Sequence, residues 1–127
     1  MLIERADASM DKGWYAGPWN STLGISVGYA NGGVDEPHLH NQITEIYLVS
    51  RGTSMVQVEQ ETVALAAGDM LVVEPGEAHT FLESSSDYFH FVIHVPGLAG
   101  RTARAEKTSV SRARLGLHSK EVVDDDD

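Results

Sequence analysis

Cysteine is absent from the 127 residues of this chain. Without it no disulfide can form, and any metal must be bound through nitrogen and oxygen atoms rather than thiolates. The N-terminal residues lack the basic start and long apolar run of a secretory signal, and no later stretch approaches the roughly 20 apolar residues of a membrane span. We therefore expect a cytoplasmic protein that has no membrane as a partner.

Basic residues are scarce in most of the chain. Up to Leu98 only Arg5, Lys12 and Arg51 oppose 13 acidic residues, whereas the rest of the chain carries six residues of each sign, for a formal net charge of -10. An acidic body of this kind repels phosphate backbones and anionic lipid surfaces. Nucleic acid is therefore not expected as a partner, which leaves small molecules, metal ions or another protein.

Extended helical periodicity is missing before Ala99, so a parallel sheet connected by helices is not expected. Residues 22–30 instead alternate, with large apolar side chains at odd positions and small residues between them, as in a strand with one buried face. Turn residues separate six further short apolar runs, at residues 46–49, 55–58, 63–66, 70–73, 79–82 and 88–95. This spacing predicts an all-β protein, an antiparallel sandwich or barrel.

The pattern divides the chain into three parts. We predict an N-terminal arm at residues 1–21, a barrel at residues 22–98 and a C-terminal segment at residues 99–127. The arm contains Trp14, Tyr15 and Trp19, which we expect to cover an edge of the core or a dimer interface. In the C-terminal segment, Thr108 to Leu117 is expected to form a short helix or to lie along the barrel, and the acidic end, Asp124 to Asp127, is expected to be disordered.

Four side chains have the chemistry and spacing of metal ligands. Side chains two residues apart on a strand share a face, so His38 and His40 point the same way. Glu45 follows at an odd interval, so a turn within residues 41–44 is needed to bring it to the same ion. A proline-glycine turn leads to His79 at the start of another strand. Three imidazoles and one carboxylate can then converge, although any one histidine taken alone would be assigned to the core or the surface.

This arrangement resembles the cupin family in both of that family's motifs. The first motif, a glycine, an H-x-H pair, a glutamate and a second glycine, matches Gly32, His38, His40, Glu45 and Gly52. The second motif, which runs from a glycine through a turn to a histidine, matches Gly68, Gly76 and His79. Two positions depart from the pattern: Pro75 stands one place later than the family's proline, and Glu83 occupies a position where an asparagine often follows.

The resemblance implies a cupin-type antiparallel jelly-roll β-barrel that holds one divalent transition metal ion through His38, His40, Glu45 and His79. Such ligands accept iron, manganese, nickel, zinc, cobalt or copper. Four protein ligands leave two positions on a metal that prefers six, and one carboxylate leaves a divalent ion positively charged, so a substrate with two adjacent oxygens is expected. Small cupins often form dimers, and the resemblance therefore also implies a homodimer.

Further side chains are expected to line a substrate pocket. Tyr47 shares a face with Glu45, and Phe81 shares one with His79, so both should reach the cavity, with core packing an equally good role for them. Tyr47 also has a hydroxyl that can move a proton, which makes it a candidate catalytic residue.

The strand at residues 88–95 carries His90, Val92 and His94 on one face and apolar side chains on the other. Parity alone does not decide which face points inward. A fully apolar face suits a core, whereas the interior near an ion is often polar. We favour a pocket position for His94, as a second candidate catalytic residue that moves protons, over one for His90. His118 lies outside the barrel pattern.

Two classes of function follow from the sequence. In the first, the chain is an enzyme, a dioxygenase or a related isomerase or lyase, which acts on a small oxygenated metabolite such as a keto or hydroxy acid, a sugar acid or a diketone. In the second, it is a non-catalytic module that binds or senses a small molecule or sugar. No DNA-binding segment is visible in the sequence. A barrel hosts many reactions, so the fold does not choose between these classes.

Overall fold

The structure, a computed structural model, describes residues 1–32 and 35–118. In this part of the chain it contains ten strands, one α-helix (α1, Gly100–Glu106) and one 3-10 turn (Arg112–Leu115). The strands in chain order are β1 (Lys12–Ala16), β2 (Ser26–Ala30), β3 (His38–His40), β4 (Thr44–Arg51), β5 (Thr53–Val58), β6 (Glu61–Ala66), β7 (Met70–Val73), β8 (His79–Ser84), β9 (Phe89–Val95) and β10 (Lys107–Ser109). Among the described residues, no helix has the length and apolar character required to cross a membrane.

Two five-stranded sheets make up the fold. Sheet I has the strand order β1-β2-β9-β4-β7, and sheet II has the order β10-β3-β8-β5-β6. The pairings within both sheets are antiparallel. The predicted all-β, antiparallel jelly-roll architecture with a short helical C-terminal segment is therefore confirmed.

Alternation along β4 decides which side of sheet I faces inward. Tyr47 and Val49 are buried, whereas Leu48 between them is exposed. Because successive side chains of a strand point to opposite sides, Glu45 lies on the inner side together with Tyr47 and Val49. Strand β4 pairs with β9 in a register that places Glu45 directly opposite His94. Along the inner side of β4, the ionisable residue Glu45 is thus followed by Tyr47 and Val49 of the core.

The hydrophobic core lies at one end of the space between the sheets. Val56 of sheet II is completely buried, and the cluster around it consists of Tyr47, Val49, Leu65, Val73, Phe81 and Tyr88. Tyr47 and Phe81 contact each other edge to face, with ring centroids 5.2 Å apart, and they also line the cavity at the opposite end. These two rings therefore separate the core from the candidate site.

Two glycines of the family motifs are required by backbone geometry. Gly52, between β4 and β5, has a φ of 75°, and a β-carbon there would lie 2.8 Å from the Cα of Tyr88. Gly76, in the turn before β8, has a φ of 86°, and its N–H donates to the carbonyl of His40 over 2.8 Å. Other residues rarely adopt such φ values. The turn that contains Pro75 is therefore tied to the strand that carries the H-x-H pair.

The observed elements differ from the predicted ones at the start of β2 and in the C-terminal segment. Strand β2 begins at Ser26 rather than Thr22, because its ladder with β9 starts at the pair Ser26 and His94, and Leu23 before it is 44% exposed. Both alternatives predicted for residues 108–117 are present, because Arg112–Leu115 forms the 3-10 turn and part of β10 lies along sheet II. A longer helix that was not predicted precedes them. This helix is α1, and the residues after it form β10, whose backbone pairs with β3.

The two chain ends differ in what the structure describes. Strand β1 lies within the predicted N-terminal arm, where it pairs with β2 and extends sheet I. The acidic end that was expected to be disordered, Asp124 to Asp127, lies outside the described residues. The division into arm, barrel and C-terminal segment stays a prediction.

Candidate metal centre

Five ionisable side chains from both sheets meet at the end of the sandwich opposite the core. His38, His40 and His79 come from sheet II, and Glu45 and His94 come from sheet I. Two triplets each have donor atoms within 4.8 Å of one another: His38, Glu45 and His79 in the first, and His40, Glu45 and His94 in the second. The structure thus brings together the four side chains predicted as ligands and adds His94 to them.

Hydrogen bonds to backbone carbonyls fix the tautomers of two of the sheet II histidines, His38 and His79. Nδ1 of His38 lies 2.6 Å from the carbonyl of Glu36, and Nδ1 of His79 lies 3.0 Å from the carbonyl of Glu77. A carbonyl oxygen only accepts, so Nδ1 of both rings must donate a proton. In the neutral form of either ring the lone pair is then on Nε2, and Nε2 of His79 lies 2.8 Å from Oε1 of Glu45. This is the tautomer of a histidine that binds a metal through Nε2.

Two buried atoms in the cluster lack a hydrogen-bond partner. Oε1 of Glu45 and Nε2 of His79 are 2.8 Å apart, yet neither makes a hydrogen bond with acceptable geometry. With the His79 proton on Nδ1, both atoms present lone pairs to each other. Such an arrangement is costly in a buried site unless a cation lies between the two atoms. The residues present therefore fit a divalent metal ion.

The charge states of the cluster also suit a metal. Burial opposes ionisation of Glu45, but contacts with His40, His79 and His94 outweigh it and hold the pKa of the carboxyl well below its usual range. Burial lowers the pKa of His38 to about 4, so this ring is neutral at pH 7. Metal ligands must be an ionised carboxylate and neutral imidazoles, and these two groups already are.

His94 differs from the other histidines in the atom that it turns to Glu45. Its Nε2 lies 2.7 Å from Oε2 of Glu45, at hydrogen-bond distance. Trp14 contacts the His94 ring edge to face, with the ring centroids 4.8 Å apart, and so orients it. Its second nitrogen, Nδ1, has no hydrogen-bond partner among the described residues. His94 is therefore a hydrogen-bond partner of the carboxylate with one ring nitrogen left available.

Glu106, at the end of α1, is a site residue that the sequence reasoning missed. Its side chain is completely buried, and Oε1 lies 2.6 Å from Nδ1 of His40. Oε2 accepts from the backbone N–H groups of Gln42 and Ile43 over 2.7 and 2.9 Å. Burial opposes its ionisation, but these bonds hold the pKa of Glu106 below its usual value. One carboxylate therefore orients His40 and fixes the turn between β3 and β4.

His40 lies between two carboxylates. Its Nε2 is 3.4 Å from Oε2 of Glu45, while Nδ1 contacts Glu106. Burial opposes protonation of the ring, but the two carboxylates outweigh burial and raise the pKa of His40. A metal ion at Nε2 would take the place of the proton there, so binding is expected to release a proton from this residue.

A cavity of 830 Å³ opens from the cluster between the two sheets. Tyr47 and Phe81 line it, as predicted, and so do His90 and His94. The structure does not separate His94 from His90 as pocket residues, because both lie on the inner side of β9. The apolar side of β9 packs instead against aromatic rings of the outer face, such as the contact between Phe91 and Tyr15.

Tyr47 and His90 are held neutral in the floor of the cavity. Burial, and then the Glu45 carboxylate, raise the pKa of the Tyr47 hydroxyl well above its usual value. Burial lowers the pKa of His90 to about 4, and its Nδ1 lies 2.7 Å from the hydroxyl of Tyr88. At pH 7 the Tyr47 hydroxyl therefore stays protonated and uncharged, and it can donate a hydrogen bond.

A family model described as a cupin domain matches residues 26–95, more than half of the chain. The chain therefore belongs to the cupin family. The match runs from β2 to β9 and contains all five side chains of the cluster, whereas Glu106 lies beyond it.

Several solved structures share this fold. A cupin protein from Bacteroides fragilis is 25% identical, with a TM-score of 0.57 and coverage of 80% of this chain and 92% of that one. KdgF from Halomonas sp. is 21% identical, with a TM-score of 0.58 and coverage of 68% and 78%. A variant of Streptomyces Pac13 with uridine is 14% identical, with a TM-score of 0.66 and coverage of 87% and 85%. No curated protein has a significantly similar sequence.

Proposed function

We propose that this chain is a metal-dependent isomerase or lyase that removes a proton from a small substrate with two adjacent oxygens. The observation that carries the proposal is the position of His94. One of its nitrogens lies at hydrogen-bond distance from Glu45, and the other has no partner in the described residues. A base needs such a free lone pair next to the group that holds the substrate.

His38, His40, Glu45 and His79 are the side chains proposed to hold the ion. Glu45 belongs to one group of mutually close donor atoms with His38 and His79 and to a second with His40 and His94. Two of these atoms, Oε1 of Glu45 and Nε2 of His79, are buried without a hydrogen bond. A divalent ion bound there supplies Lewis-acid polarisation of a substrate oxygen. Imidazole and carboxylate donors do not select one element, so the proposal covers iron, manganese, nickel, zinc, cobalt and copper.

The proton transfer is assigned to His94 and Glu45. With Nε2–H donating to Glu45, the lone pair of His94 is on Nδ1, where it can accept a proton from the carbon next to the substrate oxygens. The Glu45 carboxylate, 2.7 Å from Nε2, then stabilises the imidazolium that forms. Tyr47, whose pKa is raised, stays protonated and can donate its hydroxyl hydrogen to a substrate oxygen.

The substrate class is a small oxygenated metabolite, such as a keto or hydroxy acid, a sugar acid or a diketone. Proton removal next to an oxygen is also the first requirement for elimination of water. Pac13, a protein of similar fold, is described as a nucleoside dehydratase, and this supports a lyase reaction in the same kind of cavity. The particular substrate is to be found by screening.

The metal is tested first. We expect near-stoichiometric metal by mass spectrometry in the parent protein and loss of metal in His38→Ala and His79→Ala. His118→Ala is the matched control, because this histidine is exposed and lies outside the cluster. If both ligand variants keep the metal content of the parent, the metal part of the proposal fails.

The reaction is tested on His94→Gln. This variant should keep the metal while exchange of the carbon-bound hydrogen of the substrate with D₂O, followed by NMR, slows about a hundredfold or more. Loss of metal in His94→Gln would make His94 a ligand instead. Dioxygen uptake without hydrogen exchange would favour the dioxygenase version. Stabilisation by one metabolite without turnover would favour the binding module.

We also propose that the chain forms a homodimer through the outer side of sheet I. Leu48, Met70 and Val72 are exposed there on neighbouring strands, with Leu48 directly opposite Met70. Adjacent exposed apolar residues of this kind mark interaction surfaces. Sedimentation should give a dimer for the parent and a monomer for Met70→Lys, while Met10→Lys, which changes an exposed methionine elsewhere, should remain dimeric. A monomeric parent would contradict the proposal.

A further inference from the structure

Two tryptophans stand at the mouth of the cavity. Trp14 and Trp19 are each 48% exposed, and both line the cavity. Their ring centroids are 6.2 Å apart and their planes meet at 80°. Exposed indole rings that border a cavity provide contact area for a second ring at a low cost in conformational entropy. The pair therefore fits a planar ligand.

Both indole rings pack directly against the backbone of glycines, which have no β-carbon to push the rings away. A β-carbon at Gly28 would lie 2.7 Å from Cε3 of Trp14, and one at Gly17 would overlap the Trp19 ring. The loop under Trp19 is fixed in turn, because Gly17 N–H donates to Oδ1 of Asn20 over 3.0 Å. The aromatic surface is therefore formed before any ligand binds, which favours affinity.

The cavity lining also contains cationic side chains, alongside the carboxylates of Glu36, Glu45 and Glu106. Lys12, Arg104 and Lys107 line the cavity. Lys107 is paired with Glu36 at 3.0 Å, but among the described residues no carboxylate lies within 4.0 Å of Lys12 or Arg104. The charge of Lys12 acts on Glu36 only at longer range.

These cationic side chains stand out in a chain whose formal net charge is -10. Up to Leu98 the chain has only three basic residues, and one of them, Lys12, stands at the cavity. Lys12 lies two residues before Trp14 on β1, so the two side chains extend from the same side of the strand. In an acidic protein, two cations without ion pairs beside an aromatic surface favour a ligand that is both planar and anionic.

We propose, on the basis of the proposed function, that the substrate carries a planar ring with a carboxylate or phosphate, attached beside the saturated carbon that loses its proton. The ring lies against Trp14 and Trp19, and the anionic group binds Lys12 and Arg104. The saturated carbon and the two adjacent oxygens then lie on the His94 side of the ring, since Trp14 contacts His94 and His94 contacts Glu45.

Calorimetric titrations of the metal-loaded full chain with three compounds separate the contributions of the ring and of the anionic group to binding. Protocatechuate has a ring, two adjacent oxygens and a carboxylate at the far end. Catechol lacks the carboxylate, and glycerate lacks the ring. We expect protocatechuate to bind about tenfold more tightly than either of the other two.

Variants assign the preference to residues. Trp19→Leu should weaken protocatechuate and catechol about tenfold and leave glycerate unchanged, while Trp19→Phe should restore most of the affinity. Lys12→Gln and Arg104→Gln should each weaken protocatechuate about fivefold and leave catechol unchanged. Arg101→Gln is the matched control, because Arg101 is exposed on the same helix and does not line the cavity.

The metal content of each variant is measured alongside. Equal affinity for the three compounds in metal-loaded protein overturns the inference and leaves the proposed function intact. A chain that holds no metal but still prefers protocatechuate through Trp19 and Arg104 overturns the proposed function and supports a ring-anion site. If protocatechuate does not bind, the inference is wrong, and a dimer lost in Trp19→Leu would then identify the tryptophan pair as an interface between copies.

Discussion

The closed end of the sandwich and its open end are built from the same strands but have opposite chemistry. Strand β4 contributes Val49 to the closed end and Glu45 to the open end, and β8 contributes Phe81 and His79 in the same way. At the closed end, apolar contact satisfies each side chain. At the open end, buried nitrogen and oxygen atoms need specific partners, and two of these atoms have none.

Within each strand, the residues at the closed end therefore serve stability, and those at the open end serve ligand binding. Close-packed apolar side chains stabilise the fold whether or not a ligand is present. A buried carboxylate surrounded by lone pairs depends on a cation, a proton or a donor for its stability. Changes at the closed end should therefore alter the free energy of unfolding, and changes at the open end should alter metal and substrate binding.

The largest effect is expected from Glu45→Gln. This change keeps the size of the side chain and removes the only carboxylate shared by both donor triplets, so metal affinity should fall by more than about a thousandfold. Competition with a chromogenic chelator measures it. Glu83→Gln, an exposed position on β8, should retain the affinity of the parent. Metal binding that survives Glu45→Gln would separate the ion from this cluster.

Val56→Ala tests the closed end. Removing two buried methyl groups from a fully packed position should lower the free energy of unfolding by about 2–3 kcal/mol, measured by denaturant titration, with unchanged metal stoichiometry. Val95→Ala, at a position 40% exposed, should cost far less. If Val56→Ala also removes the metal, the two ends are coupled and the comparison breaks down.

Glu106→Gln tests the support behind His40. The hydrogen bond to Nδ1 of His40 loses its charge, so metal affinity should fall about tenfold to a hundredfold, less than for a ligand. The ¹⁵N chemical shifts of His40 should also report a changed tautomer. Glu61→Gln, at an exposed position on β6, is the control. Unchanged affinity and unchanged shifts would limit Glu106 to holding the turn.

His90→Phe sharpens the boundary between the two ends. Burial lowers the pKa of His90 to about 4 in the folded state, against about 6.5 when unfolded, so the unfolded chain binds the proton first as pH falls. The stability that depends on neutral His90 is present above pH about 6.5 and is lost as the pH falls toward 4. Between pH 7 and 5 the parent should lose about 2 kcal/mol more than His90→Phe in denaturant titrations.

The control for this pH dependence is His118→Phe. His118 is exposed, so the variant should follow the parent across the same range. If His90→Phe also follows the parent, His90 is not the group that makes the fold sensitive to acid.

The sequence was most informative where local spacing carries the geometry. The two histidines of the H-x-H pair must share a face on a strand. Gly52 and Gly76 occupy turns with positive φ, which glycine adopts more readily than other residues, so the local sequence indicates these turns. The strand at residues 70–73 was predicted with its observed limits for the same reason. Strand β10 was not predicted, because it forms only by pairing with a strand far away in the sequence.

The sequence by itself determined, through strand alternation and turn spacing, an antiparallel all-β protein, and its resemblance to the two cupin motifs implied the barrel and the imidazole and carboxylate donors. Only the tertiary structure decided that His90 faces the cavity, that Glu106 holds His40, and that Trp14 orients His94. These contacts join residues far apart in the chain, Glu106 and His40 being separated by 66 positions. Local periodicity assigns a side chain to one of two faces, whereas the packing of two sheets decides which face encloses the site.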